Sequence, residues 1–138
     1  MATLKEQRHQ TIKKTIMRRP EAVVDVNIHL WERLAVELIS IIGEDGFQSL
    51  FVRSVHLNGV AFPWLLLSHS SQQSHARFAG LKISLESREI NETVAASTAL
   101  FITFIDILAL LIGEFLTTRI LRSAWGDDTL DIAVKEIQ

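Results

Sequence analysis

The chain contains no cysteine, which removes disulfides, thiolate nucleophiles and cysteine-held metals from consideration. It also contains no tyrosine, and no Asn-Gly turn joins two alternating runs, so strand signals are thin. Proline occurs only twice and glycine six times, which leaves long stretches with little to interrupt a helix. No apolar segment follows the basic N-terminus, as a secretory leader would require. A Gly-rich phosphate loop, a Gly-x-Ser-x-Gly elbow and the kinase motifs are all missing. No serine has a readable histidine and acid arrangement, so no catalytic residue is assigned. The absence of cysteine is compatible with a cytoplasmic protein, and that placement is the expectation.

What is present describes one globular domain. The 138 residues are 48% hydrophobic and 22% charged. The net charge of -2 hides an asymmetry. Residues 1–19 carry Lys5, Arg8, Lys13, Lys14, Arg18 and Arg19 against Glu6 alone, whereas Asp127, Asp128, Asp131 and Glu136 face only Lys135. The chain therefore divides into a basic N-terminal helix or arm (1–19), a helical core (20–125) and an acidic C-terminal tail (126–138).

Helical periodicity dominates the core. Thr3 to Glu6 form a possible capping box for a first helix reaching about Arg19, and Pro20 suits the first turn of the next. Val24, Ile28, Trp31, Ala35, Leu38 and Ile42 recur at steps of three and four, with Asp25, His29, Glu32 and Arg33 largely opposite. Gly43 and Gly46 punctuate this helix, a third runs from about Asp45 to Leu57, and Asn58-Gly59 ends it. Pro63 starts a short helical piece, Ser68 to Ser74 reads as a loop, and Phe78, Leu81 and Leu85 mark another helix. The last helix is read as continuous from about Glu92 to Trp125, stopped by Gly126. The fold expected is an all-α, single-domain bundle of five to six helices around a long apolar C-terminal helix.

Val94 to Ile112 has the length and hydropathy of a membrane span. Asp106 lies inside it, at a cost of roughly 2.5–3.5 kcal/mol near a bilayer centre. The amphipathic faces of the other helices also need an apolar partner, so this run is read as a core helix. Ala96, Ala99, Thr103, Asp106, Leu110, Gly113 and Thr117 form a stripe of mostly small residues, suited to a crowded bundle centre or a dimer seam. A buried carboxylate must be paired or protonated, and the expected partner of Asp106 is an arginine from another helix, with Arg53 the candidate.

One pattern repeats. Leu38, Ile42, Gly43 and Glu44 match Leu108, Ile112, Gly113 and Glu114 at an offset of seventy residues, and a one-residue gap aligns Arg53-Ser54 with Arg122-Ser123. The contexts differ: "GEDG" should break a helix, whereas "GEFL" surrounds one glycine with strong helix formers and should continue it. The matches are accordingly read as coincidence, with Gly113 admitting a closely approaching backbone. Glu44, Glu114, Arg53, Arg119 and Arg122 are read as solvated charges near helix ends.

The function expected is a non-enzymatic regulatory or protein-interaction module acting as a homodimer. Its candidate surface is Lys13, Lys14, Arg18 and Arg19 with exposed Phe62 and Trp64. The alternative is a small-ligand sensor with a pocket lined by Trp31, Arg53, His56, Trp64 and Asp106. A single-span membrane-associated protein is the third reading. None of the five histidines completes a metal motif, so no metal or cofactor is expected. The basic arm lacks aromatics for stacking, and nucleic acid is not an expected partner.

Overall fold

Thr3 Oγ1 accepts the amide of Glu6 at 3.0 Å and opens α1 (Leu4–Met17), which confirms the N-cap of the expected box. The structure, a computed structural model, describes residues 3–69 and 77–126, with only the backbone of residues 20 and 67–69. A 3-10 turn at Pro20–Ala22 leads into α2 (Val23–Leu57), and another at Pro63–His69 follows it. Then come α3 (Ala79–Glu86), α4 (Ile90–Ile112) and α5 (Glu114–Trp125). The described residues contain no strand, and the helices pack on one another as an all-α bundle. Most of the predicted loop at Ser68 to Ser74 and the acidic tail from Asp127 lie outside the described residues.

Two glycines shape the bundle. Inside α2, Gly43 takes φ 82° and ψ 167°, so the helix has two limbs, residues 23–42 and 44–57. Trp31 and Phe51 sit roughly 18 Å and 12 Å from that point along the two helix axes, yet their ring centroids are 5.2 Å apart. The limbs must fold back on each other. Gly113 takes φ 91° and ψ 159° and separates α4 from α5. Phe101 and Trp125, twelve residues to either side, would be about 36 Å apart in a straight helix; their rings are 5.4 Å apart.

The continuous helix expected over 92–125 is therefore corrected to two antiparallel limbs joined at one residue. The break leaves the amides of Glu114, Phe115 and Leu116 without the helical partners a continuous helix would give them, but Gly113 itself keeps both of its backbone bonds. Gly113 N–H still donates to Ala109 at 2.8 Å, and its carbonyl accepts from the Thr117 amide at 3.1 Å. The expectation that another backbone closely approaches Gly113 is also corrected. A Cβ built at Gly43 or Gly113 meets nothing within 4 Å, so the requirement is for positive φ rather than space.

The repeated letters mark a repeated structure. Val23, Asn27, Leu30, Trp31, Leu34, Ala35 and Leu38 are buried, and so are Thr93, Ser97, Leu100, Phe101, Phe104, Ile105 and Leu108, each seventy residues later. Past the corners, Phe47, Leu50, Phe51, Ser54 and Val55 correspond in the same way to buried Thr117, Ile120, Leu121, Ala124 and Trp125. At an offset of sixty-nine, Ile12 and Ile16 of α1 correspond to Leu81 and Leu85 of α3, and all four are buried. Reading the matches of Leu38, Ile42, Gly43 and Glu44 as coincidence is overturned, whereas the gapped Arg53-Ser54 match falls outside this register, which sets Ser54 opposite Ala124.

The two halves interlock about equivalent residues. Trp31 stacks on its own counterpart Phe101, with centroids 4.1 Å apart and planes at 12°. Phe47, four residues past the first corner, lies 5.4 Å from Phe104, nine before the second. Asn58, at the end of α2, donates to Thr103 Oγ1 at 3.0 Å. The Trp125 indole at the end of α5 donates to the Leu30 carbonyl at 3.1 Å. These contacts place both glycine corners at the same end of the bundle.

Both glycines sit in a region of φ/ψ space that other residues essentially do not enter. Gly43→Ala and Gly113→Ala should each lower the unfolding free energy by about 1–3 kcal/mol in urea titrations. An unchanged midpoint for either variant would contradict this account of the corners.

Candidate functional site

The most concentrated polar chemistry lies where α1 crosses α4 near the second corner. Arg8 is on the inner face of α1, one turn before buried Ile12, and its side chain is only 6% exposed. Its Nη2 donates to Asp106 Oδ1 at 2.6 Å, and its Nη1 donates to Glu114 Oε2. His9 Nε2 lies 2.9 Å from each Asp106 oxygen, and Lys5 Nζ is 3.9 Å from Oδ2. Burial works against the charge on Arg8. Its hydrogen bonds to Asp106 and Glu114, and their negative charge, outweigh that effect and raise the guanidinium pKa above its ordinary value.

The expectation that Asp106 finds an arginine from another helix holds, but the partner is Arg8 and not Arg53. Sequence could not select Arg8, because the two residues are 98 positions apart and meet only once both helices have packed. Chemically the cluster is a clamp. Both Asp106 oxygens are engaged by the chain's own cations, and the guanidinium bridges α4 and α5.

The other half carries a weaker counterpart. Arg77, equivalent to Arg8, pairs with Glu44, equivalent to Glu114, with a 3.0 Å bond between Nη2 and Oε2. So the arginine preceding each half's corner helices reaches the glutamate after the other half's glycine. The expected solvated acids at Glu44 and Glu114 are thus each paired with an arginine, though neither with Arg53, Arg119 or Arg122. At the position equivalent to Asp106 the first half has Val36, which is exposed.

The five residues expected to line a ligand pocket do not converge. Trp31 is fully buried at the centre of the aromatic core. Arg53 and His56 are exposed and line a shallow depression with Gln48, Ser49 and Val52. Trp64 packs edge-on to Phe62 and lies under the Arg88 guanidinium, 4.9 Å from its ring centroid. An open groove of about 820 Å³ between α2 and α3 is lined by Ile28, Val36, Ile39, Phe78 and Ile83, and by none of the five. Among the described residues, no three His, Asp or Glu side chains converge as a metal site would need.

Of the expected interaction residues, Lys13 and Lys14 are exposed on α1, and Arg18 and Arg19 are exposed just past its end. Phe62 and Trp64 are corrected: both are half-buried and pack against the core. Exposed apolar side chains are scattered over the bundle, Val60, Val36 and Ile83 among them, and several gather at the second corner. Leu110 is 87% exposed, Phe115 77% and Leu111 69%, with Leu116 beside them at 39%. Their counterparts at the first corner are Ser40, Asp45, Ile41 and Gly46. α4 is the one helix among the described residues long and apolar enough to cross a membrane, and 39% of that window is buried.

Sequence reading missed this patch because a continuous helix over 92–125 places the four residues within the core. The usable signal is in the repeat itself, where Ser40, Asp45 and Gly46 of one corner stand opposite Leu110, Phe115 and Leu116 of the other.

The Arg8 cluster and the Arg77–Glu44 pair differ in burial, and that difference sets their contributions. Asp106→Ala should cost about 1–3 kcal/mol in chemical denaturation, since it strands a nearly buried guanidinium. Glu44→Ala should cost at most about 1 kcal/mol, because its pair with Arg77 is exposed. Equal losses would contradict the clamp. Compared with protein families, curated proteins and solved structures, the chain matches none of them.

Proposed function

We propose that the protein is a non-enzymatic, regulatory or protein-interaction module whose working surface is the corner between α4 and α5. The observation that supports it is the contrast between two equivalent corners. Both fold through a glycine with nearly the same dihedral angles, so the backbone turn itself has no need of large apolar side chains. The first corner shows Ser40 and Asp45 to water, and the second shows Leu110 and Phe115.

Large apolar side chains left in water forgo roughly 1.5–3 kcal/mol each relative to full burial. With Ile41 included, the exposed fractions at this end amount to about 550 Å², at the upper end for a single patch on a monomer. Exposed apolar area of that size gathered at one end of the bundle is what a binding surface presents. The clamp supports the same reading, because Arg8 ties α1 to both limbs and gives the corner a rigid mount. Cytoplasmic residence is part of the proposal.

A photo-activated crosslinking amino acid placed at Phe115 or at Asp45, in protein expressed in its native host, tests the contrast. The label at Phe115 should give a discrete adduct on illumination and the label at Asp45 none. Absence of any adduct at Phe115 would overturn the reading.

A further inference from the structure

We infer that the occupant of the apolar corner is a second copy of this chain, packed corner to corner about a two-fold axis. The inference rests on the reading of that corner as the working surface, and it names the partner.

Area is the first argument. Covering all of the roughly 550 Å² on each of two copies would remove at most about 1,100 Å² from water, the size of a weak, concentration-dependent association and not of a permanent dimer. A self-complementary contact doubles every exposed residue, so one patch of this size suffices. Both glycine corners lie at the same end of the bundle, which brings exposed Ile41 of the first corner to the same end as Leu110, Leu111 and Phe115 of the second.

Charge is the second argument. The corner end carries both signs: Glu44 with Arg77, Glu114 with Arg8, and further Asp45 and Arg119. The two arginine–glutamate pairs are neutralised within the chain. Two identical ends therefore meet without the repulsion of a single-sign field. A bilayer surface is served by an apolar wedge surrounded by an excess of lysine and arginine, and the acids at this end dilute such an excess. Arg119 lies over the Phe115 ring, 5.8 Å from its centroid, and shields one of the most exposed apolar groups in the free chain.

Sedimentation velocity on the full chain, from low micromolar to several hundred micromolar, reads the association directly. The wild type should pass from monomer to dimer as concentration rises. Leu111→Glu and Phe115→Glu should each weaken dimerisation at least tenfold, since each places a charge in an apolar contact. Both side chains are largely exposed, so the variants should retain the wild-type circular dichroism. Val60→Glu, in the turn after α2 and equally exposed, should dimerise like the wild type.

A wild type that stays monomeric throughout overturns the inference, as does a dimer that both corner variants leave intact. The adduct formed at position 115 separates this failure from failure of the interaction reading. A monomeric protein with a discrete adduct to a different protein overturns only self-association. A monomer that co-sediments with phosphatidylserine-containing vesicles, and loses that binding on Phe115→Glu, also overturns it in favour of a lipid surface. A monomer with no adduct overturns both.

Discussion

Positive φ at two single residues is the constraint on which this structure depends. At Gly43 and again at Gly113 a helix reverses without a loop, and Gly113 keeps the bonds of its own N–H and carbonyl. That reversal brings Trp31 onto Phe51 and Phe101 onto Trp125, so each limb finds its apolar partner within its own half. The paired limbs then pack through Trp31 and Phe101, which occupy equivalent places. A straight α4–α5 would leave Ile120, Leu121 and Trp125 without the surfaces that bury them.

The fold's repetition provides an internal control on which features it requires. Most buried positions coincide across the two halves, so they are requirements of the corner architecture. Asp106 against Val36, and Leu110 and Phe115 against Ser40 and Asp45, are positions where one half does something the other does not. The first difference anchors α1: Arg8 is almost fully covered, and it touches both α4 and α5. The second leaves apolar surface in water beside that anchor. An anchored corner presents its side chains in one arrangement, which lowers the ordering cost of binding.

Much of the fold was legible in sequence because its signals are local. The stripe through Trp31, Ala35 and Leu38, the cap at Thr3, and the stops at Asn58 and Gly126 each depend on residues within a turn or two of one another. The break at Gly43 was legible because Asp45 and Gly46 share its weak helix propensity. The break at Gly113 was hidden by strong helix formers on both sides, which describe the limbs correctly and say nothing of the single residue between them. Arg8 was invisible as the partner of Asp106 for a different reason, since an ion pair between distant helices leaves no spacing to read. The apolar patch was concealed by its likeness to core: Leu110 and Leu111 have the same hydropathy as Leu108, which is fully buried. All three lie on α4, and the face of the helix they occupy separates them.

The reversal at Gly113 can be measured without altering the core. The chain has no cysteine, so Ala95→Cys and Ser123→Cys introduce two unique sites for spin labels, both exposed. Double electron–electron resonance should give a label separation below about 30 Å, because the limbs run back along each other. A continuous helix would place the two backbone positions about 42 Å apart, and a distance distribution centred there would contradict the corner and everything built on it.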